Sequence, residues 1–395
     1  MAYSLLVFAT LPALAAWAYL AFLRGGFWRA SLDGHFTRAP AAPGARVEVV
    51  VPARNEAPFV GRAVASLLAQ RGGAPQVTLV DDGSRDGTAA AARTAVAGQG
   101  GQERLTILPA PPLEAGWSGK LGALECGVRH VAGLRGAPDF WLFTDADIVH
   151  DPENVAALVA KAERERLDLV SLMVRLHCES FWERLLVPAF VFFFRKLYPF
   201  AWSNHLERRT AAAAGGCVLL RHSALDRIGG LASIKGALID DCTLAAAVKR
   251  SGGGIWLGLS ERTRSIRTYA GLGELWAMVK RSAFTQLDRS YLNVLWTVLG
   301  MTLLYLVPPL ATLAGIVLRD PLLAASGALC WLAMAALYLP TVRAYGQPAG
   351  VALALPLAAA LYTLMTVDSA LAHARKRGGG WKGRVYGAVG SASEA

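Results

Sequence analysis

Three long apolar runs near the C-terminus constrain the fold of this 395-residue chain more than any other feature. They cover residues 292–318, 322–342 and 351–372, and Asp368 is their one charged residue. Each run is long enough to cross a hydrocarbon layer of about 30 Å as a helix. Only a helix or a closed barrel satisfies its backbone polar groups in lipid. Residues 291–373 are therefore predicted to form a C-terminal transmembrane region.

A further uncharged apolar run, residues 4–23, is followed by Arg24, Arg29 and Arg38. A secretory signal peptide carries its positive charge before the apolar run, so cleavage is not expected. Basic residues after the run favour a cytoplasmic location for the chain that follows. The sequence predicts an uncleaved signal anchor at residues 1–25 in a multi-pass protein of the inner (cytoplasmic) membrane, with its middle region in the cytoplasm.

The basic tail, residues 374–395, conflicts with three C-terminal crossings. Three crossings after a cytoplasmic domain would leave the tail outside, whereas positive charge prefers the inside. One run is therefore a candidate for a re-entrant or interfacial hairpin, with Pro308–Pro309 or Pro356 as break points. The number of crossings stays open, and the tail itself is predicted to be flexible.

The net charge of +11 does not indicate nucleic acid. The chain lacks a basic stripe with interleaved aromatic residues, which is the pattern that holds a nucleic-acid strand. Basic residues near membrane ends more simply face anionic lipid headgroups. The five cysteines form no Cys-x-x-Cys pair, so neither a zinc site nor a disulfide framework is indicated.

Between the membrane segments, residues 46–290 have the pattern of an α/β domain. Short apolar runs typical of buried strands alternate with segments of helical apolar spacing. The predicted strands are 47–51, 77–80, 105–108 and 140–144, and the predicted helices are 59–70, 88–97 and 120–132. This alternation predicts an open, mostly parallel sheet with helices on both faces. A ten-residue apolar run with charged flanks, residues 185–194, predicts an interfacial helix at about 181–200.

Asp145 and Asp147 follow the last of these strands, where ligands bind in such sheets. They are two residues apart, so on an extended chain both side chains project to the same side. One or two carboxylates together with diphosphate oxygens make the usual environment for Mg²⁺ or Mn²⁺. The pair is therefore predicted to bind one of these metals. His150 is predicted to be a polar loop residue rather than a ligand.

Asp81 and Asp82 end the second predicted strand, where carboxylates can accept hydrogen bonds from a base and from ribose hydroxyls. An ordinary strand-to-helix turn would explain Gly83 and Ser84 but not the second aspartate. Lys120 begins a helix, where an ammonium group and backbone N–H groups could meet an anion. A solvated surface lysine is the alternative reading.

Asp240 and Asp241 precede a helical segment that ends with basic residues and Gly252. Either could act as a helix N-cap. The functional interpretation is that Asp241 is a general base supported by Asp240, with its pKa raised by partial burial.

Another predicted helix, residues 272–287, carries Lys280, Arg281 and Phe284. Its cations could hold a departing diphosphate, and the aromatic ring could line an acceptor pocket. An amphipathic helix on the membrane surface is the alternative.

Together these motifs resemble the family 2 glycosyltransferases, which are inverting enzymes with a GT-A fold. The matching segments are VPARNE at 51–56, VDDGS at 80–84, GK at 119–120, TDAD at 144–147, GG at 215–216, IGG at 228–230 and IDD at 239–241. The segment GWSGKL at 116–121, with residues 281–287 and the membrane flanks, is similar to the hopene-associated subgroup.

The resemblance implies that Pro52, Asn55 and Glu56 bind the donor together with Asp81, Asp82, Lys120 and Asp145. It further implies that Asp145 and Asp147 hold Mg²⁺ or Mn²⁺ and that Asp241 is the base. The expected partners are a nucleoside-diphosphate sugar, with UDP as the expected nucleotide, and a membrane lipid of hopanoid, other polyisoprenoid or sphingolipid type.

Two other functions remain open at the level of sequence. Polymerising relatives carry Glu-Asp before the helix and Gln-x-x-Arg-Trp after it, and this chain departs from both patterns at Asp240 and at residues 280–284. Transfer of a single sugar is therefore favoured over processive polysaccharide synthesis. A nucleotide-sugar sensor or scaffold in a lipid-synthesis complex would not need Asp241.

Overall fold

The computed structural model describes residues 2–29, 44–72, 74–97, 101–375, 380–381, 384–386 and 392–394. The chain divides into two compact units, each built from separate segments. The helical unit comprises Met1–Ala30, Cys178–Ala201 and Thr268–Gly379. The sheet unit comprises Ser31–His177, Trp202–Arg267 and Gly380–Ala395. The predicted domain boundaries stay predictions, and Arg38 and most of the predicted tail lie outside the described residues.

The helices are, in chain order, α1 (Ala2–Phe22), α2 (Ala57–Leu68), α3 (Thr88–Val96), α4 (Gly119–Arg135), α5 (Asn154–Arg164), α6 (Phe181–Leu197), α7 (Phe200–Ser203), α8 (His222–Arg227), α9 (Asp240–Arg250), α10 (Leu272–Gln286), α11 (Tyr291–Met301), α12 (Val307–Val317), α13 (Pro321–Ala344) and α14 (Leu355–Ala374). The strands are β1 (Val47–Ala53), β2 (Gln76–Asp81), β3 (Leu105–Pro109), β4 (Phe140–Thr144), β5 (Ile148–Val149), β6 (Leu169–Arg175), β7 (Cys217–Arg221), β8 (Ile255–Ser265), β9 (Gly380–Trp381), β10 (Arg384–Tyr386) and β11 (Ala392–Glu394).

The sheet unit is built on an eight-stranded sheet with the order β3-β2-β1-β4-β7-β6-β8-β5. Strands β3, β2, β1 and β4 are mutually parallel, and β6 is parallel to β8. Strand β1 is buried along its whole length, which its β-branched residues favour in a sheet covered on both faces. The predicted α/β class and mostly parallel sheet are confirmed.

Helix α4 packs closely on the sheet because residue 127 is glycine. A Cβ atom at Gly127 would lie 2.5 Å from Val50 Cγ1 and 3.1 Å from Val80 Cγ2. Ser118 caps this helix by accepting a hydrogen bond from the Leu121 N–H at 3.4 Å. The cap and the close packing fix the first turn of α4, which carries Lys120.

Two antiparallel pairings bring distant segments to the end of β4. Strand β7 runs antiparallel to β4 with Cys217 opposite Thr144, so Gly215 and Gly216 meet the point where β4 ends. Strand β8 pairs with β5 antiparallel, with Ser265 opposite Ile148. The residues after β8 therefore return to the Asp145–Asp147 segment, an arrangement that a purely parallel sheet would not produce.

Among the described residues of the helical unit, three helices are long and apolar enough to cross a membrane: Tyr291–Val317, Pro321–Ala344 and Ala349–Ala374. They match the predicted apolar runs to within a few residues. Neither candidate break point reverses the chain in a hairpin. A π-helical turn, Thr302–Leu306, precedes Pro308, and a 3₁₀ turn, Ala349–Ala354, leads into α14.

The π-helical turn has a direct cause in the sequence. Pro308 has no N–H group to donate to the carbonyl of Leu304, four residues earlier. The indole N–H of Trp17 donates to that carbonyl at 3.0 Å instead. Trp17 also packs edge-to-face on Tyr305, with ring centres 5.4 Å apart. Helix α1 thus satisfies a backbone group that proline leaves free.

Candidate active site

Lys120 connects two of the predicted acidic clusters. Its Nζ lies 2.9 Å from Asp145 Oδ1 and 3.2 Å from Asp240 Oδ2. Burial lowers the pKa of Lys120, but the carboxylates of Asp145, Asp240 and Asp241 outweigh burial and raise the pKa above its ordinary value. The lysine is therefore charged and does not lie on the surface as a solvated side chain.

Asp241 is held by backbone donors beside this ion-pair cluster. Its Oδ2 accepts a hydrogen bond from the Gly215 N–H at 2.7 Å, and its Oδ1 accepts one from the Cys242 N–H, also at 2.7 Å. Burial and the neighbouring Asp240 charge raise the pKa of Asp241 to about 6, against the opposing effect of Lys120. A carboxyl group with that pKa is largely ionised near neutral pH and can accept a proton.

Asp240 and Asp241 also occupy the first turn of α9, where carboxylates interact favourably with the helix dipole. The helix begins at Asp240, with Ile239 as its N-cap residue and no side-chain cap. The simple capping alternative therefore does not account for Asp241. Its carboxylate accepts from the Cys242 N–H in the first turn of α9 and also from the Gly215 N–H, which lies outside α9.

Gly215 makes room for this arrangement. A Cβ atom at position 215 would lie 2.8 Å from Lys120 Nζ and 3.2 Å from Asp241 Oδ2. A small cavity of about 20 Å³ opens between Lys120, Gly215 and Asp241, and Pro52 and Asp240 also line it. The structure thus brings together five predicted site residues: Pro52, Lys120, Asp145, Asp240 and Asp241.

Asp147 contacts a cation that the sequence reasoning did not identify. Its Oδ2 accepts hydrogen bonds from Arg267 Nε at 3.0 Å and from Ser265 Oγ at 2.9 Å. Arg267 also donates through one terminal nitrogen to both carboxylate oxygens of Glu56, at 2.6 and 2.5 Å. Burial raises the pKa of Asp147, while Arg267 opposes that rise. Arg267 therefore connects Asp147 with Glu56, a predicted donor-binding residue.

A buried network of hydrogen bonds holds the end of β4. The Thr144 hydroxyl donates to the carbonyl of Gly216 at 2.8 Å and lies 2.9 Å from His150 Nε2. Asn154 Nδ2 lies 3.0 Å from His150 Nδ1. Burial lowers the pKa of His150 to about 3, so the ring is neutral. His150 thus connects Thr144 with α5. Thr144 precedes Asp145 and also bonds the loop that carries Gly215.

The predicted nucleoside-binding residues lie at the ends of β1 and β2. Asp81 Oδ1 accepts a hydrogen bond from the Ser84 N–H at 2.9 Å, which closes the turn after β2. Asp82 is buried, with Oδ2 3.8 Å from an Arg54 terminal nitrogen. Asn55 has a left-handed backbone, with φ of 52°, and its side chain accepts from the Arg85 N–H. The hydrogen bond that closes the strand-to-helix turn therefore explains Asp81 better than it explains Asp82.

A groove of about 180 Å³ borders Asp82. Leu113, Trp117, Gly122 and Arg129 line it, among other residues. Its walls combine an aromatic ring and apolar side chains with a few charged groups. Such a lining is typical of small-molecule sites.

Lys280, Arg281 and Phe284 all lie on α10 of the helical unit. Lys280 Nζ is 2.9 Å from Asp368 Oδ2, and that same oxygen accepts from Trp276 Nε1 at 2.7 Å. The Phe284 ring is buried against Tyr291 and His373, with ring centres 5.0 Å apart in each pair. Arg281 is exposed. These contacts account for Lys280 and Phe284 within the helical unit, and their predicted diphosphate and acceptor roles stay predictions.

The carboxylates of Asp145 and Asp147 are suited to a divalent cation that takes most of its other ligands from a diphosphate. The Asp145 side chain is 38% exposed and pairs with Lys120 through Oδ1, whereas Asp147 is buried and uses Oδ2. These contacts leave Asp145 Oδ2 and Asp147 Oδ1 for a metal. Within the described part of the chain, no three His, Cys, Asp or Glu side chains form a complete metal site. One or two carboxylates suffice where phosphate oxygens supply the rest.

Comparison with known proteins agrees with this architecture. Residues 48–229 match the family described as Glycosyl transferase family 2. The mannosyltransferase PcManGT from Pyrobaculum calidifontis, solved in complex with GDP-Man and Mn²⁺, superposes with a TM-score of 0.54 at 21% identity. The match covers 94% of this chain and 98% of that protein. The fold is therefore the GT-A fold, and residues 48–229 are similar to the family 2 glycosyltransferases.

Curated relatives resemble the same part of the chain. An undecaprenyl-phosphate 4-deoxy-4-formamido-L-arabinose transferase from Klebsiella pneumoniae is 29% identical over 182 residues, which is 45% of this chain and 48% of that protein. The protein of the same name from Salmonella paratyphi B is 30% identical over 184 residues, or 45% and 49% of the two lengths. The chain thus spans about half the length of the curated relatives it matches.

Proposed function

We propose that this protein is a membrane-bound, inverting glycosyltransferase that transfers one sugar from a nucleoside-diphosphate sugar, with UDP as the nucleotide, to a lipid acceptor. The carrying observation is the position of Asp241, which two backbone N–H groups orient beside the cluster of Lys120, Asp145 and Asp240. Such a cluster supplies a base, a cation for phosphate and an accessible carboxylate for a metal.

Asp241 is the general base in this proposal. Its carboxylate takes the proton of an acceptor hydroxyl while the acceptor oxygen forms a bond to the anomeric carbon and the bond to the diphosphate breaks. The displacement inverts the anomeric centre, so an α-linked donor gives a β-linked product. Burial and Asp240 keep the pKa of Asp241 at about 6, which is high enough for effective proton transfer near neutral pH.

Asp145 and Asp147 would hold Mg²⁺ or Mn²⁺, and the bound metal would neutralise the charge that grows on the departing diphosphate. Lys120 contributes a second positive charge at this place because its ammonium already contacts Asp145. Pro52, Asn55, Glu56, Asp81 and Asp82 would bind the donor. Arg267 adds to the earlier prediction as a positioning residue, since it holds Asp147 and Glu56 together.

A lipid acceptor is supported by the helices of the same chain. Three helices are long and apolar enough to cross a membrane among the residues described. The relatives reported above are named undecaprenyl-phosphate 4-deoxy-4-formamido-L-arabinose transferases, and undecaprenyl phosphate is a lipid with a long hydrocarbon chain. We propose a hopanoid or another polyisoprenoid as the acceptor and the inner membrane as the location.

The chemistry of Asp241 separates two kinds of acceptor. An acceptor hydroxyl needs a base, whereas a phosphate monoester is already largely ionised at neutral pH. A base that contributes strongly to the rate therefore favours a hydroxyl-bearing lipid over a polyprenyl phosphate. A processive polymerase remains the alternative enzyme, and long oligosaccharide products would identify it.

The proposal is tested by incubating the purified full-length protein with UDP-sugars or GDP-mannose, Mg²⁺ or Mn²⁺, and a panel of lipids. The panel contains a hydroxyl-bearing hopanoid, undecaprenyl phosphate and a sphingolipid. Transfer of one sugar to a lipid, abolished by a chelator and restored by either metal, is expected. Metal-dependent nucleotide binding without turnover on any acceptor would contradict the proposal and favour a sensor.

A further inference from the structure

His150 is a buried residue directly after β5, and it connects three other elements of the sheet unit. Its backbone N–H donates to the Ser66 hydroxyl of α2 at 3.0 Å. Its ring nitrogens Nε2 and Nδ1 lie 2.9 Å from Thr144 Oγ1 and 3.0 Å from Asn154 Nδ2. Helices α2 and α5 therefore hold the imidazole against the last residue of β4.

The directions of these hydrogen bonds follow from the protons that each group carries. Thr144 has a single hydroxyl proton, and the carbonyl of Gly216, 2.8 Å away, can only accept it. The hydroxyl oxygen must then accept from His150, so the imidazole carries its proton on Nε2. The unprotonated Nδ1 accepts from the side-chain N–H of Asn154. One tautomer of His150 therefore satisfies all of these contacts.

This series of hydrogen bonds reaches the backbone that holds Asp241. Gly216 follows Gly215, whose N–H donates to Asp241 Oδ2 at 2.7 Å. Thr144 also precedes Asp145, an accessible carboxylate of the candidate site. The direction of one hydroxyl group therefore affects two parts of that site.

The glycine pair needs such a restraint. Glycine has the freest backbone of all residues, so two in succession keep a fixed N–H direction only where their surroundings restrain them. A Cβ atom at Gly216 would lie 3.1 Å from Val174 Cγ2 and 3.4 Å from Ile148 Cδ1. Side chains of β5 and β6 thus pack closely on this glycine, and the Thr144 hydroxyl sets the direction of its carbonyl.

The groups around His150 contribute geometry rather than charge. Burial lowers the pKa of His150 to about 3, and a second ring proton would place an N–H opposite the N–H of Asn154. Asn154 also donates to Cys217 Sγ at 3.7 Å, and burial raises the pKa of that thiol to about 12. The imidazole, the amide and the thiol are therefore all neutral near neutral pH.

We propose that His150, as its Nε2–H tautomer, is a positioning residue for Asp241. Its N–H occupies the oxygen of Thr144 and directs the hydroxyl proton to the Gly216 carbonyl. That bond restrains the glycine pair whose first N–H, at Gly215, holds the Asp241 carboxylate. This role rests on the proposed function, in which Asp241 is the general base.

The same hydrogen bonds influence how readily Asp241 ionises. Burial and Asp240 raise the pKa of Asp241, whereas Lys120 and the N–H groups of Cys242 and Gly215 lower it. If the Gly215 N–H moves away, the carboxylate loses a donor and its pKa rises further. Loss of the His150 contact is therefore expected to slow transfer and also to shift its dependence on pH.

The tautomer is measured first, without any sugar donor. Solid-state NMR is recorded on the full-length protein with ¹⁵N-labelled histidine, and the signals that disappear in His150→Gln identify His150 among the seven histidines. The expected ring is neutral, carries its proton on Nε2 and does not titrate between about pH 5 and about pH 8. A proton on Nδ1, or a ring that becomes charged in that range, would overturn the proposal whether or not the protein transfers sugar.

Two pairs of variants then test the role in transfer. Thr144→Val removes the hydroxyl but keeps the shape of the side chain, whereas Thr144→Ser keeps the hydroxyl. His150→Asn has no N–H that reaches Thr144, whereas His150→Gln places an amide N–H near the position of Nε2. Thr78→Val is the matched control, because Thr78 is buried in β2 and its hydroxyl has no hydrogen-bond partner among the described residues.

Thr144→Val and His150→Asn are expected to lose about ten-fold or more in kcat with little change in KM. The midpoint of their kcat/KM profiles is expected to lie at a higher pH than in the wild type. Thr144→Ser, His150→Gln and Thr78→Val are expected to keep most of the wild-type rate and its pH midpoint. Wild-type rates and midpoints in Thr144→Val and His150→Asn, or an equal loss in Thr78→Val, would overturn the positioning role. A wild type that transfers no sugar would instead contradict the proposed function.

Discussion

The Gly215 N–H donates a 2.7 Å hydrogen bond to Asp241 Oδ2. Gly215 precedes β7 and Asp241 lies in the first turn of α9, so this bond joins two segments that are far apart in sequence. It also fixes which carboxylate oxygen is engaged by the backbone. The position of the proposed base therefore depends on a residue without a side chain.

Gly215→Ala is expected to reduce transfer about ten-fold or more. A Cβ atom there would lie within 3.2 Å of both Lys120 Nζ and Asp241 Oδ2, so the cluster must shift, and small displacements of reacting groups are costly. Gly133→Ala is the matched control because a Cβ at position 133 meets nothing within 4 Å in helix α4. Steady-state kinetics check the prediction, and equal activity of the two variants would contradict it.

The rate of transfer is expected to rise with pH, to be half-maximal near the Asp241 pKa of about 6 and to level off about one pH unit higher. Only the ionised form of Asp241 accepts a proton, and its pKa in the free protein is about 6. The pH dependence of kcat/KM reports the groups of the free enzyme, so it is the parameter to measure. A profile that stays flat between about pH 5 and about pH 8, a range that includes this pKa, would argue against Asp241 as the base.

Arg267→Gln is expected to destabilise the sheet unit by about 3–5 kcal/mol, because it leaves Asp147 and Glu56 buried without their cation. Asp147 already has a raised pKa in the folded state. A raised carboxyl pKa means that the folded state binds the proton more tightly, so this contribution to stability is lost as pH rises. The loss of stability in Arg267→Gln should therefore be larger at about pH 8 than at about pH 5 when thermal unfolding is measured at both pH values.

Arg262→Gln is the control for that experiment. Arg262 lies in β8, shortly before Arg267 in the chain, but its side chain is 58% exposed and lies 3.7 Å from Asp151. An exposed pair of this kind contributes little to stability. Thermal scans in which both variants melt alike would show that the contacts of Arg267 with Asp147 and Glu56 have no special weight.

Local patterns were sufficient to predict much of the fold. Strand β1 and helix α4 each follow from apolar spacing within a short segment, and the apolar runs predict the three long helices. The antiparallel strand β7 was not predicted, because its direction is set by pairing with β4 and β6 rather than by its own residues. A buried strand has the same apolar pattern in either direction.

The candidate site was predicted in part for the same reason. Asp145 and Asp241 stand beside recognisable strand and helix boundaries, so their positions could be inferred from sequence. Arg267 could not, because it reaches Asp147 only through the pairing of β8 with β5. The one available signal was its place just after the basic end of a strand. The ion pair of Lys280 could not be predicted either, because its partner Asp368 is 88 residues away in the sequence.

Trp17→Phe is expected to lower the stability of the helical unit by about 1–3 kcal/mol. Phenylalanine keeps an aromatic ring beside Tyr305 but removes the N–H that the Leu304 carbonyl accepts. Because Pro308 cannot donate to that carbonyl, it would stay unsatisfied. Trp296→Phe is the control, since Trp296 is 64% exposed on α11. The measurement is thermal unfolding in detergent, and equal melting of the two variants would refute this role of Trp17.

Asp241 is proposed to be the base of a sugar transfer to lipid. The most direct measurement compares initial rates of transfer from a radiolabelled nucleotide sugar to lipid for wild type, Asp241→Asn and the exposed control Asp226→Asn. For a hydroxyl acceptor, Asp241→Asn is expected to lose about 10²–10⁴-fold in rate, with no loss in the control. Transfer by Asp241→Asn at the wild-type rate would contradict this role of Asp241.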